Sequence, residues 1–454
     1  MRTRSTRSRI VTLQAAAWLI GLAYCSAPAA TLEQVQSLAS SGRYEEAIEQ
    51  FGELLDAEPV AAAVGLSRAQ AAIGERDAAR DTLAQALEAH DDVAALHAEA
   101  ARLAFERGEL DAAASHVARA RELAPDLLLA RWIEAELLRV TGRVEEANAV
   151  WQWFVDYYNA NDVADAESLH LIGLAAAQFA RHNGLAEQFR FLVNELYPDA
   201  VQADPSYWPA HLESARLFLE KFNQAEADRA LKAALEINSR AAEIYAAMAQ
   251  MSLQNWDLAD AQRAVDRARE LNPNLAELHR LEADIHLANF DETEASQALT
   301  AAQALNPIDE ETLGRIAAVY LIEDGLATAD DPQTATGRFE QLADEVTARN
   351  PAAGVFYVTA AVRLEQRRKF LEAEHCFHLA IEKSPHFIGP RAGLGMMYMR
   401  LGEETEAERL LSESFERDPF NVRVNNTLKV LEVLDDYATL ETEHFVIRYD
   451  PEKD

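Results

Sequence analysis

Residues 394–419 read LGMMYMRLGEETEAERLLSESFERDP: two apolar-periodic stretches joined at Gly402, with Ala407 five residues after the glycine and Pro419 closing the segment. Apolar residues recur at helical spacing on both sides of Gly402, so the stretch reads as two amphipathic helices and a turn. Working outward, the same markers return with a period of 34: Ala373 precedes Ala407, and Pro385 precedes Pro419. Gly74, Gly108 and Gly142 stand 34 apart, each followed five residues later by an alanine (Ala79, Ala113, Ala147), and Gly42 with Ala47 is an earlier copy. Ala227, Ala261 and Ala295 continue the frame, Ala234, Ala268 and Ala302 follow seven residues after them, and Pro273 and Pro307 mark copy ends. Pro59 and Pro125 hold that end slot in earlier copies. Glycine, alanine and proline thus share one period.

Each slot has a physical use. The turn glycine supplies positive φ at little cost. The alanines are small because helices cross there at close range. Proline stops the second helix and sets the next copy's start. A single hairpin cannot bury its apolar face alone, so neighbours must stack.

This pattern resembles the tetratricopeptide repeat (TPR) family. Leu394, Gly395, Tyr398, Gly402, Ala407, Leu411 and Pro419 stand in the family's order, and the preceding copy has Tyr357, Ala361, Leu364, Ala373, Phe377, Ala380 and Pro385. Nine copies have turn slots at Gly42, Gly74, Gly108, Gly142, Phe222, Trp256, Phe290, Arg368 and Gly402, and two degenerate copies fill the gaps around Gly184 and Gly325. The resemblance spans residues 31–422. It implies an all-α, right-handed TPR α-solenoid of about eleven helical hairpins, counted from the period, with a short C-terminal strand. Among the copies that depart from the pattern, Phe222, Trp256 and Phe290 replace the turn glycine with an aromatic residue. They read as wedges between neighbouring copies, with Asn255 and Asn289 able to take over the left-handed conformation. Between Gly142 and Phe222 twelve residues exceed two periods, and aromatics crowd there, including Trp151, Trp153, Tyr197 and Trp208. Such irregular copies alter curvature or carry function.

Composition agrees with the array. Of 454 residues, 49% are hydrophobic, which excludes a wholly disordered chain, and 17 glycines and 14 prolines are too few for collagen or a mucin-like stalk. The net charge of −34 disfavours nucleic acid and anionic lipid as partners. Arg2, Arg4, Arg7 and Arg9 precede a mostly apolar run from Ile10 to Ala23, and Ala27-Pro28-Ala29 follows. Residues 1–30 therefore read as a secretory signal peptide, predicting an exported protein, periplasmic or extracellular, with no integral membrane span after cleavage. An uncleaved anchor is the competing reading. Cys25 lies in that segment, leaving Cys376 alone without a disulfide partner.

No His-Glu-x-x-His, Walker loop, Gly-x-Ser-x-Gly or Cys-x-x-Cys is present, so no catalytic residues, metal or cofactor are expected. His375-Cys376-Phe377-His378 reads as helix packing, and His279 and His286 as helix-face residues. The TPR resemblance implies that a protein or peptide lies on the concave face, lined by the first helix of each copy. Residues six before the turn slot face inward there, among them Arg68, Arg102, Glu136, Arg216 and Asp284. The chaperone-binding carboxylate clamp of the family needs Asn in this slot and Lys one turn earlier, and no copy has either. Arg68 and Arg102, extended by Arg139 and Arg216, are candidate partner-binding residues that would pair with carboxylates. The alternative is that neighbouring glutamates balance them.

Residues 423–438 read as a capping helix, and 439–454 as a β-strand tail in which Glu443–Tyr449 alternates without a partner in sight. Leu440–Asp454 resembles the opening strand of a peptidase-MA (gluzincin) domain. That resemblance implies an alternative function, the scaffold part of a zinc metallopeptidase whose catalytic domain is not in this chain. The expected organisation between these ends is an N-terminal array over 31–160, an irregular insert over 161–207 and a central array over 208–307. A degenerate copy with a loop insertion (308–353) and a C-terminal pair (354–422) complete it.

Overall fold

The computed structural model describes residues 30–326 and 337–453. The expected signal peptide and most of the expected loop after Asp324 lie outside the described residues. Eleven helical hairpins stack in chain order. Hairpins 1 to 4 are Leu32–Ser40 with Tyr44–Leu54, Pro59–Ala72 with Arg76–Ala89, Ala94–Glu106 with Leu110–Leu123, and Leu128–Val140 with Val144–Ala160. Hairpin 5 pairs Ala166–Asn183 with a helix running from Glu187–Phe191 through a π segment, Leu192–Leu196, into Tyr197–Ala203. Hairpins 6 to 8 are Trp208–Glu220 with Gln224–Ile237, Ala242–Gln254 with Leu258–Leu271, and Ala276–Ala288 with Glu292–Leu305. Hairpins 9 to 11 are Glu310–Asp324 with Arg338–Arg349, Gly354–Gln366 with Phe370–Lys383, and Gly389–Leu401 with Glu404–Arg417. Helix Val422–Asp435 caps the stack. The fold is a TPR-type α-solenoid.

Local chemistry repeats as the period requires. Ala47, Ala79, Ala113, Ala147, Ala227, Ala261, Ala295, Ala373 and Ala407 are all fully buried where helices cross. In ten hairpins the turn-slot residue has positive φ, and the next amide donates to the carbonyl five residues back, as Glu75 N does to Gln70 O at 2.9 Å. This is the bond that closes a Schellman cap.

The turn slots reveal a longer order. Asn272 Nδ2 donates to Ala71 O (3.2 Å) and Asn274 Nδ2 to Gly74 O (2.8 Å), so the turn of hairpin 2 sits on the connection after hairpin 7. Hairpin 1 meets the connection after hairpin 6 in the same way, through Asn238 Nδ2 to Tyr44 Oη (2.9 Å) and Arg240 to Glu45. Gly108 lies against Asn306 and Pro307, Gly142 against Asn350 and Pro351, and Lys221 binds Asp418 at 2.8 Å. The array therefore coils so that the turns of hairpins 1 to 4 and 6 each dock on a connection five hairpins later, and two superhelical turns lie in contact. Asn238, Asn272, Asn306 and Asn350 shape that seam. Each Oδ1 accepts the amide two residues on, at 2.9 to 3.2 Å. The amide nitrogens of Asn238 and Asn272 then reach the neighbouring turn, whereas that of Asn350 donates to Glu310 of its own hairpin.

At Gly74 and Gly108 this docking explains why glycine is kept. A Cβ on Gly74 would meet Asn272 Oδ1 at 2.7 Å, and one on Gly108 would meet Asn306 Oδ1 at 2.6 Å. At turns 7, 8 and 10 Trp256, Phe290 and Arg368 adopt positive φ themselves (59°, 64° and 59°), as Phe222 does at turn 6 (56°). The wedge expectation is corrected at two of its three positions: Trp256 is 55% and Phe290 68% exposed, whereas Phe222 is half-buried. Asn255 and Asn289 stay at φ −89° and −87°, so they do not take over the left-handed position.

The extra residues near hairpin 5 lengthen helices. Val144–Ala160 has 17 residues and Ala166–Asn183 has 18, whereas Pro59–Ala72 has 14. Trp151 and Tyr197 fill the core between them. The C-terminal strand also needs correction, because it is paired. Val446–Tyr449 forms an antiparallel hairpin with Ala438–Glu441, in register Ala438↔Tyr449. The capping helix ends at Asp435, and Thr442 bonds across the reversal to Phe445 (N to O, 2.8 Å). Among the described residues, no helix is long and apolar enough to cross a membrane.

Gly74→Ala is expected to destabilise the chain by about 2 kcal/mol or more, since strained φ adds to the clash. Trp256→Gly should leave the thermal midpoint unchanged or raise it. Melting followed by circular dichroism compares the two.

Candidate functional site

The first helix of each hairpin faces a narrow lumen, and all four sequence-predicted arginines lie there. Arg68 and Arg102 are brought together on Glu99: Arg68 Nε donates to Oε1 at 2.7 Å and Arg102 Nε to Oε2 at 2.9 Å. Arg68 also crosses the lumen to Glu167 of hairpin 5 (2.6 Å), and Arg102 reaches Glu106 (2.7 Å). Arg139 and Arg216 sit apart. Arg139 holds Glu136 at 2.7 Å, while Arg216 binds Glu213 (2.7 Å) and Glu277 (3.1 Å). Farther along, Arg315 grips Asp284 through two bonds of 2.9 Å. Burial alone would raise the Asp284 and Glu99 carboxyls, but the adjacent guanidiniums hold both below the usual range. At Glu243 burial outweighs the nearby Arg216 charge and pushes the carboxyl up.

Where hairpin 5 interrupts the regular seam, the superhelical turns part around a cavity of about 920 Å³. Leu185, Phe189 and Leu217 wall it from the first turn, and Phe387, Ile388 and Val424 from the second. Arg139 and Arg181 border it toward the lumen. Two buried polar atoms on its wall have no hydrogen-bond partner, the donor Trp151 Nε1 and the acceptor Asp418 Oδ1. Each such atom carries a desolvation cost of about 1–3 kcal/mol until something bonds to it. The size falls in the range of ligand-binding cavities.

A charged clasp closes one end. Arg181 binds Glu220 (Nη2 to Oε2, 2.5 Å), Lys221 binds Glu220 (2.9 Å) and Asp418 (2.8 Å), and Val422 N donates to Lys221 O (2.9 Å). Burial would raise the Glu220 carboxyl, but Arg181 and Lys221 bring it down to about 2. At the other end Glu145, His182 and His386 converge across the two turns. Sequence reasoning missed this trio because 204 positions separate the two histidines. The irregular spacing around Gly184 was the available signal. His375 instead packs on Phe339, with Cys376 and Phe377 fully buried.

No protein-family profile matches the chain, and no curated protein matches it in sequence. Among solved structures, the chain is similar to yeast Tom70 at 15% identity and a TM-score of 0.37, covering 89% of this chain and 95% of that one. It is also similar to a chain of the APC/C hetero-tetramer Cut9–Hcn1, at 12% identity and a TM-score of 0.38, covering 87% and 95%.

Because Glu220 has a folded pKa below its ordinary 4.5, its contribution to the clasp is fully present above that value and is lost as pH falls toward 2. Protection of the segment around Val422 against hydrogen–deuterium exchange, relative to the intrinsic rate at each pH, should fall across that window. In Glu220→Gln the same segment should exchange fast already at neutral pH.

Proposed function

We propose that this chain is an exported, non-catalytic scaffold that holds a segment of a partner protein along its inner surface and anchors an apolar side chain of that segment in the inter-turn cavity. The observation that carries this reading is the cavity itself, walled by Leu185, Phe189, Leu217, Phe387, Ile388 and Val424. Arg68, Arg102, Arg139 and Arg216 would exchange a carboxylate of this chain for one of the partner, which keeps the buried charges paired throughout. Export rests on the N-terminal arginines and the apolar run that follows them.

A second reading has its own observation. Leu440, Phe445, Val446, Ile447 and Tyr449 of the C-terminal β-hairpin are all exposed. A two-stranded ribbon with both faces in water is marginal by itself. Further sheet would cover it, as the peptidase-MA resemblance implies. An in-frame His-Glu-x-x-His in the coding DNA beyond the Asp454 codon would favour that reading.

The first reading is tested by a photo-cross-linking residue placed at Leu185, on the cavity wall, or at the exposed Leu371. Partner recovered with the exported protein should be labelled from Leu185, and Ala392→Phe should cut that labelling about tenfold, an effect of roughly 1.4 kcal/mol. Arg68→Ala with Arg102→Ala should weaken capture as well. Equal labelling from both positions, or labelling indifferent to Ala392→Phe, would refute it.

A further inference from the structure

We propose that Glu145, His182 and His386 bind one divalent transition-metal ion of the zinc class on the seam between the two superhelical turns. The three residues come from three elements: Glu145 from the first turn of helix Val144–Ala160, His182 from the last turn of Ala166–Asn183, and His386 from the connection between hairpins 10 and 11. One donor atom from each lies within 4.8 Å of the other two. Glu145 Oε1 and His182 Nε2 are 3.7 Å apart, and the imidazole centroids are 4.5 Å apart with planes 31° from parallel. Donors around tetrahedral zinc are about 3.3 Å from one another. Small side-chain rotations close the difference, and His386 sits on a surface connection free to make one.

The hydrogen bonding separates this trio from ordinary packed histidines. His97 and His116 share a ring-nitrogen hydrogen bond of 3.1 Å, and the second nitrogen of His97 meets Asp91 O at 3.0 Å. Within the described residues His182 and His386 make no hydrogen bond, although the His182 side chain is only 9% exposed. Two imidazoles face each other with lone pairs unused and a carboxylate beside them. That is a two-nitrogen, one-oxygen ligand set, suited to a borderline-soft cation. The Arg417 guanidinium approaches Gly184 on the same seam and adds positive charge near His182, which the Glu145 carboxylate counters at that imidazole.

All three residues line the inter-turn cavity, so three protein ligands leave the ion's fourth position toward it. The ion would join hairpins 4 and 5 to the connection after hairpin 10, where the regular Gly-on-Asn docking is missing. The site stands whether or not a peptide fills the cavity.

The test uses the full chain, purified without a histidine tag and stripped with chelator. Titration with Co²⁺, followed by its visible tetrahedral absorption and by displacement with Zn²⁺, should show one equivalent bound. His386→Ala, on a surface connection and checked for fold by circular dichroism, should bind at least tenfold more weakly, whereas His279→Ala with His286→Ala should bind as the parent does. Zn²⁺ should also slow hydrogen exchange around His386 in the parent only. Binding no tighter in the parent than in His386→Ala would overturn the proposal, as would a full equivalent retained by that variant.

Discussion

The docking of one superhelical turn on the next constrains everything else in this structure. Hairpin stacking alone makes an open coil, since each hairpin needs only its neighbours to hide its apolar face. Here the turns also touch, and the contact is polar and close. An asparagine at the end of a second-turn helix bonds forward to its own backbone and presses against a glycine of the first turn. Both partners are demanding, because the asparagine must accept locally and the glycine must lack a side chain. Contacts so separated in sequence resist the uncoiling that nearest-neighbour arrays undergo.

Closing the coil narrows the inside, and the charge arrangement follows. Carboxylates that would be solvated on an open concave face are brought within reach of arginines from other hairpins, as Glu167 is with Arg68. Several glutamates and aspartates stay ionised there despite burial, because guanidiniums compensate for the lost water. The lumen is therefore a lattice of paired charges in which any entering group must replace a partner already present.

Hairpin 5 is where the regular seam fails and chemistry collects. Its longer helices and π segment carry the chain out of register with the layer above, and π segments recur at functional positions in helices. The cavity, the Glu220–Lys221–Asp418 clasp and the Glu145–His182–His386 trio lie within the space so opened. Each draws residues from both layers. A ligand or an ion bound there would act on the spacing of the layers as much as on any single hairpin.

The hairpins were legible from the residues because glycine, alanine and proline act within one copy. Positive φ at Gly74, burial at Ala79 and helix ending near Pro273 are local demands that recur every 34 positions. The inward slot was legible too at Arg68, Arg102 and Arg216, each six residues before its turn slot, while Arg139 stands only three before Gly142 and the partners of all four were not legible. The exchange of glycine for Trp256 and Phe290 was visible as well, but its meaning was not, since an uncovered turn differs from a covered one only through residues about 200 positions away. The same holds for Glu167 beside Arg68, Asp418 beside Lys221 and His386 beside His182. The pitch of the coil brings these together, and pitch sums small rotations over five hairpins. No single copy encodes it, so the period determined the elements and only the packed coil decided the cavity and its neighbours.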